Sequence, residues 1–361
     1  MYTQIPVLSF LLFLSSVFSC QQNQDMILRS VPENVLQFKA NPISSDTAKT
    51  TTSDIIFQSV DGGQTWQDVS DGLPKDLAIG PVFADSREVI LASENALYHS
   101  SAAVEGPIWD KALVFGWDNA VAMEMSIAGI FYGRTGPYIS SSPNGLFQNV
   151  SGTGLLSPVH NTLQEQMVRC VWETPDGTVF VGSRSGIFKS TDGTQSWKQV
   201  YAEAGVFSLV GEDSVMICGT DKGLLRSSDC GEHWNWVLTE DGPAFKTGFM
   251  GGRFVTVTEG ATEWKEHPAN RLRVSADAGK TWQRMDKSLS SAQFLKNKVP
   301  IQSINDIKQA GKYLFCSCDA GIFRSADWGK SWEPVFAKNG MEKLQLAVSG
   351  NVIYAVKVSG C

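Results

Sequence analysis

An eight-residue pattern, Ser-x-Asp-x-Gly-x-(Ser/Thr)-Trp, occurs five times in this chain, at residues 59–66, 190–197, 227–234, 275–282 and 325–332, with Thr194 and His233 as the only departures. A pattern that recurs this often marks a repeated structural unit, and the chain must be read as an array of that unit. The Asp at the third position (Asp61, Asp192, Asp229, Asp277, Asp327) is suited to accept backbone N–H groups of its own turn. The Gly two places on (Gly63, Gly231, Gly279, Gly329) takes positive φ without a Cβ penalty; the second copy carries its Gly one place earlier, at Gly193. The Trp that closes each copy (Trp66, Trp197, Trp234, Trp282, Trp332) opens the next strand and offers a large apolar surface. Apolar and polar residues alternate before the turn, as in Gly186-Ile187-Phe188-Lys189 and Gly321-Ile322-Phe323-Arg324. Each copy is therefore a hairpin turn between two strands, and its Asp is a turn residue before it is a chemical one.

The pattern resembles the Asp-box, or bacterial neuraminidase repeat, which in its families joins the third and fourth strands of a β-propeller blade. The resemblance implies an all-β fold of four-stranded blades. Two eroded copies, 100–109 closing on Trp109 and 140–147 closing on Phe147, bring the closing aromatics to positions 66, 109, 147, 197, 234, 282 and 332. Their spacing of 37 to 50 residues brackets the ~40–45 residues of a propeller blade, so seven blades are expected. After the last copy the chain holds only two more strands, at 344–348 and 352–358, while 55–59 leads into the first copy without a full pair in front of it. The seventh blade is expected to be shared between the two ends, which closes the ring and removes a free sheet edge.

Before the array, residues 2–19 carry no charged side chain and 5–18 form a short apolar run, which reads as a secretory signal peptide over 1–19. Cys20 follows Val17-Phe18-Ser19, an arrangement similar to a bacterial lipobox with Cys20 as the acylated residue; Phe18 departs from the small residue of that motif, and ordinary cleavage after Ser19 is the competing reading. Residues 20–53 are polar and serve as a tether, and 54–361 form the propeller. The net charge of −7 and the lack of a basic stripe argue against a nucleic-acid partner. His99, His160, His233 and His267 are scattered along the chain, so no Cys/His cluster has metal spacing and no cofactor is expected; Cys170, Cys218, Cys316 and Cys318 read as free buried thiols.

Ligands of propellers usually meet the face opposite the repeated turns. That face is built from second-to-third-strand loops, carrying Arg184, Lys222 and Asp319, and from blade-to-blade connections, carrying Trp117 and Asp118; an enlarged loop at 259–270 adds Trp264. These six are the candidate binding residues, weighed against the plain reading of solvated turn residues. The Asp-box occurs in sialidases, xyloglucanases, sortilin-type receptors and photosystem II assembly factors, so it does not select an activity. A sialidase would need an arginine triad and an Arg-Ile-Pro motif, and the latter is absent. The expectation is an exported, lipid-anchored monomer of the cell envelope, periplasmic or on the outer membrane, that binds an envelope protein or glycan and touches the membrane only through its anchor. A sialidase-type glycoside hydrolase is the alternative.

Overall fold

The structure is a computed structural model. It describes residues 54–75, 77–93, 96–101, 106–112, 126–133, 136–142, 145–149, 156–159, 163, 167–259, 271–289, 303–337 and 343–358. The leader, the tether, Cys20, Trp117, Asp118 and Trp264 lie outside the described residues.

The described strands form seven four-stranded antiparallel sheets, the blades of a β-propeller. Blade I comprises Ile79–Ala84, Glu88–Ser93, Leu97–Ser101 and Asp110–Ala112. Blade II runs through Ser126–Gly133, Gly136–Ser142, Gly145–Asn149 and Leu156–Pro158, and blade III through Val168–Glu173, Val179–Ser183, Gly186–Ser190 and Lys198–Tyr201. Blade IV has Val206–Glu212, Val215–Thr220, Gly223–Ser227 and Asn235–Leu238; blade V has Ala244–Met250, Arg253–Thr258, Arg271–Ser275 and Gln283–Arg284; blade VI has Ile304–Ala310, Tyr313–Cys318, Gly321–Ser325 and Glu333–Ala337. Blade VII takes Lys343–Ser349 and Val352–Val358 from one end of the chain and Ile56–Ser59 and Gln67–Asp68 from the other. Ile56 pairs with Val356 and Ser59 with Ile353, which is the shared closing blade expected from the sequence.

The first strand of every blade contacts the first strand of the next, and the strand of blade VII contacts that of blade I. The seven therefore surround a central channel. The second strands supply much of the core: Glu88–Ser93 and Val179–Ser183 are buried along their length, as strands covered on both faces by neighbouring blades must be. Cys170, Cys218, Cys316 and Cys318 are buried, and burial pushes the Cys170 thiol up to about 12.

All five clear repeats adopt one turn. The buried Ser Oγ accepts the N–H of the fifth residue, at 2.8 Å from Gly63 and 3.0 Å from Thr194, and donates to the Asp carboxylate, at 2.9 Å in both copies. The Asp in turn accepts the N–H and hydroxyl of the seventh residue, for example Ser331 at 2.9 and 2.6 Å. His233 replaces that hydroxyl with its ring, Nδ1 lying 2.6 Å from Asp229. These bonds hold the carboxylates low. The Thr65 hydroxyl and N–H bring Asp61 to about 2, and those of Ser196 bring Asp192 to about 2. At Asp229 burial pushes upward, but the N–H and ring of His233 outweigh it and the value is again about 2.

The backbone requirement is larger than the sequence pattern suggests. The fourth and fifth residues are both left-handed, so Cys230 (φ 56°), Ala278 (57°), Trp328 (59°) and Thr194 (71°) hold this conformation with side chains. Gly193 is thus no displaced glycine: it fills the fourth position and Thr194 the fifth. Glycine at the fifth place has a second cause, since a Cβ there would lie 2.4 Å from Phe180 at Gly231 and 2.4 Å from Ile217 at Gly279. The turn of each of these blades thereby presses on the blade before it.

Two kinds of staple fasten neighbouring blades. A basic residue just before the repeat reaches the carbonyl of the fourth residue in the next blade's turn: Lys189 to Cys230 at 3.1 Å, Arg226 to Ala278 at 2.7 Å, and Arg324 to Gly62. The closing indole of blade VI donates to the Met285 carbonyl of blade V at 2.9 Å, and Trp109 of blade I donates to Val69 of blade VII at 2.7 Å. Trp109 therefore does close an eroded copy, as its spacing implied.

Two expectations are corrected. Phe147 is no closing aromatic: it lies inside the third strand of blade II, and the preceding turn joins the second and third strands, so the 140–147 match is one hairpin too early. Seven blades remain. The closing Trp residues are also not equally buried. Trp332 is 2% exposed, whereas Trp66, Trp197, Trp234 and Trp282 are half-buried and pack at the rims of their clusters.

Candidate functional site

The direction of the strands sorts the loops onto two faces. Repeated turns share one face with the hairpins between first and second strands, as the bond from Cys230 N–H to the Ser214 carbonyl shows within blade IV. Second-to-third-strand loops and blade-to-blade connections lie on the other.

On that opposite face the structure places Arg184, Lys222 and Asp319, all exposed. Lys222 Nζ donates to the Glu203 carbonyl at 2.6 Å, and Gly205 N–H reaches Asp221 at 3.2 Å. A Cβ on Gly205 would sit 3.2 Å from both the Arg184 carbonyl and Asp221, so the loops of blades III and IV meet at this glycine. Asp319 stands two blades away, where its N–H binds the Ser303 carbonyl at 3.1 Å. Arg184 and Lys222 are brought near each other and Asp319 is not. All three sit in turns that bind their own neighbourhood.

A more distinctive feature lies inward of them, at the channel mouth on the same face. In blades III to VI the pairing of the first two strands slips at the second residue of the first strand, between Val168 and Cys170, Val206 and Ser208, Ala244 and Lys246, and Ile304 and Asp306. Such a bulge re-aims the residue it contains. The residues so placed are Arg169, Phe207, Phe245 and Asn305. The Arg169 guanidinium stands 4.7 Å above the Phe207 ring, and the Phe207 and Phe245 rings are 5.4 Å apart at 58°. Phe245 is 38% exposed and Met167, at the entry of blade III, is 50% exposed. Three consecutive blades thus line the mouth with a half-buried cation, two tilted rings and an exposed thioether.

Sequence reasoning missed this group because a bulge breaks the alternation that assigns faces. A signal was present: Val-Arg-Cys, Val-Phe-Ser, Ala-Phe-Lys and Ile-Asn-Asp open the first strands in matching positions.

Below the mouth, Lys246 of blade V pairs with the buried Asp306 of blade VI at 3.2 Å, and Asp306 accepts the Leu346 N–H of blade VII at 3.1 Å. Burial pushes the Asp306 carboxyl upward, yet the Lys246 and Lys308 ammonium groups and that N–H hold it below its ordinary value. At the far end of the first strands a cavity of about 650 Å3 opens between blades III and VI. Its apolar wall includes Trp172, Phe249 and Met250, and Glu212, Lys308 and Gln309 supply polar groups.

Among the described residues the arginines are not gathered at the channel. Arg169 is the only arginine on the seven innermost strands. Arg271, Arg273 and Arg284 cluster instead on the outer strands of blade V, where Arg273 binds Asp241, Arg284 reaches Asp286 at 3.0 Å and Arg271 stands 3.9 Å from the same carboxylate.

No family model matches the chain, and no curated protein matches it in sequence. Solved structures do match in fold. A GH74 enzyme of Niastella koreensis aligns with a TM-score of 0.58 at 10% identity over 78% of this chain and 51% of that one, so this chain spans about half its length. YCF48 bound to a D1 peptide aligns at 0.55 and 15% identity, covering 80% of this chain and 94% of that one. PorZ, a bacterial surface component of the type-IX secretion system of Porphyromonas gingivalis, aligns at 0.51 and 11% identity over 76% and 34% of the two chains. The neighbours include enzymes and proteins that are not described as enzymes, and what they share with this chain is the propeller.

Proposed function

We propose that this chain is an exported Asp-box propeller, lipid-anchored through Cys20, that acts as a binding or assembly module of the cell envelope. Its working surface is the face opposite the repeated turns, and its partner there is an extended protein segment. One observation carries the reading: the ladder of half-buried Arg169 and Phe207 and exposed Phe245 at the channel mouth. Aromatic rings and arginine dominate the energetics of protein interfaces, because they bring large rigid contact area and directional donors together. Arg184 and Lys222 stand on the same face outside the mouth, and Trp117, Asp118 and Trp264 are further candidates from the sequence. YCF48 has been solved with a D1 peptide, so a propeller of this kind accommodates a peptide ligand.

The sialidase alternative is the weaker reading. Its triad has a single arginine to draw on from the innermost strands, and the three clustered arginines are engaged with Asp241 and Asp286. The deciding experiment is capture from detergent-solubilised envelope by the wild type, Phe245→Ala and Arg169→Ala, with melting temperature as the control for folding. Loss of the captured partner with an intact fold is expected. Undiminished capture by both variants rejects the mouth as the site, and sialic acid release from a reporter substrate rejects the module reading. Cys20→Ala should abolish fatty-acid labelling and membrane partition together; labelling that survives the change rejects the anchor.

A further inference from the structure

We infer that the cavity at the repeated-turn end of the channel is a second, separate binding site, and that its ligand is a neutral short saccharide. Its volume of about 650 Å3 lies within the ~300–1,000 Å3 of sites that enclose small molecules.

The walls define the chemistry. The inner strands are the terminal strands of their sheets, so their channel-facing edges have no neighbouring strand to pair with. Two glycines lie on those edges: Gly248 leaves the main chain part-exposed where a side chain would otherwise cover it, and Gly211 makes room for a ring against its buried main chain. The Trp172 indole lies across the first of them: a Cβ on Gly211 would be 2.9 Å from its Nε1. Phe249, fixed by a ring contact of 4.9 Å with Phe254, and Met250 continue the apolar surface. The polar groups are a carboxylate from Glu212, an ammonium from Lys308 and an amide from Gln309, whose Nε2 is turned to the Gly311 carbonyl at 3.0 Å.

Candidate ligands are sorted by what each would leave unsatisfied. An anion would have to lie beside Glu212, and a cation beside Lys308. A purely apolar ligand would desolvate the indole N–H, the ammonium and the main-chain edges without giving them partners, which is costly. A neutral ring with hydroxyls around its edge and C–H groups on its face satisfies all three sets at once. Its face lies on Trp172, its hydroxyls donate to Glu212 and accept from Lys308, and the part-exposed strand edge at Gly248 takes the remainder. The site is on the opposite end of the channel from Phe245, so it stands or falls independently of the protein-binding mouth.

The test uses the full chain with cellobiose, maltose and lactose as neutral probes, and sialyllactose and glucosamine as charged controls, read by saturation-transfer NMR and calorimetry. Gly248→Leu fills the cavity. Gly248 does not have positive φ, and the one atom near its would-be Cβ is the end of the Met250 side chain, at 2.9 Å, so the ring should still fold. At least one neutral disaccharide should bind, Gly248→Leu should abolish the signal, Trp172→Phe should weaken binding about tenfold or more, and Phe245→Ala should leave it unchanged. Should Gly248→Leu not fold, Gly248→Ala together with Trp172→Phe gives the same comparison. No neutral probe binding at millimolar concentration, tighter binding of either charged control, or binding that survives the filled cavity would overturn the inference.

Discussion

Arg324 sits at the seam between blade VI and the blade that both chain ends build, and removing its head group should loosen the ring there. Its Nη1 donates to the Gly62 carbonyl, its Nε and Nη2 bind Glu333 at 2.8 and 2.6 Å, and its guanidinium lies 4.5 Å above the Tyr313 ring. Arg324→Met keeps the aliphatic stem and deletes the charge. The charge-assisted bond to the carbonyl is worth about 1.5–3 kcal/mol. The ring contact adds about 0.5–1 kcal/mol. The pair with Glu333, which is 59% exposed, adds a few tenths. Because the three share one group they do not sum fully, and a loss of about 2–3 kcal/mol is expected. At roughly 2 °C per kcal/mol for a domain of this size, the melting temperature should fall by about 4–6 °C. The internal comparison is Arg226→Met, which loses a carbonyl bond at 2.7 Å that is exposed where that of Arg324 is part-buried, and no described ring or acid, so it should cost less, about 1–2 kcal/mol. Urea unfolding followed by tryptophan fluorescence measures both. A loss below about 0.5 kcal/mol at Arg324, or one no greater than at Arg226, would refute the seam argument.

Trp332→Ala, which empties a fully buried site and orphans the Met285 carbonyl, should cost about 3–5 kcal/mol, whereas Trp197→Ala, at a half-buried site, should cost clearly less in the same urea assay. Ala278→Gly should stabilise by about 0.5–1 kcal/mol, because the left-handed conformation is strained for Ala, while Ala276→Gly two places earlier should not stabilise; melting curves distinguish them. The repeat carboxylates Asp61, Asp192 and Asp229 lie at about 2 in the folded chain against an ordinary value of 3.8. Their contribution is complete above about pH 5 and is lost as pH falls from about 4 through 2, because the unfolded chain takes up protons first. An acid titration of stability that stays flat down to pH 2 would contradict this.

Much of the architecture was legible because it is written in turns. A turn is local: Ser59, Asp61 and Thr65 bind one another within a few residues, so its chemistry survives in a short pattern and its repetition counts the blades. Blade II shows the limit. Its turn pattern is eroded, and the serines at 140–142 imitated a turn that belongs one hairpin later. The channel mouth was hidden for a different reason. Arg169, Phe207 and Phe245 are spaced nearly 40 residues from one to the next and meet only because three blades carry the same bulge, which is visible only when the openings of the first strands are aligned with one another. The staples were half visible. Lys189, Arg226 and Arg324 share one place in the repeat, but their acceptors are in the neighbouring blade.

The shared seventh blade also sets an order of events in time. Gln58 meets Tyr354 across 296 residues, at 3.2 Å, and Ile56–Ser59 has no second neighbour until Val352–Val358 has been made. During synthesis this strand is among the first parts of the described ring to emerge and among the last to find its partner. The growing chain therefore carries a strand with one open edge through the whole of its production, and a holding factor that shields such edges would act on it throughout that interval rather than at its end. Slow elongation lengthens the exposure, so yield of the native ring should depend on translation speed more steeply than for a chain whose blades each close locally.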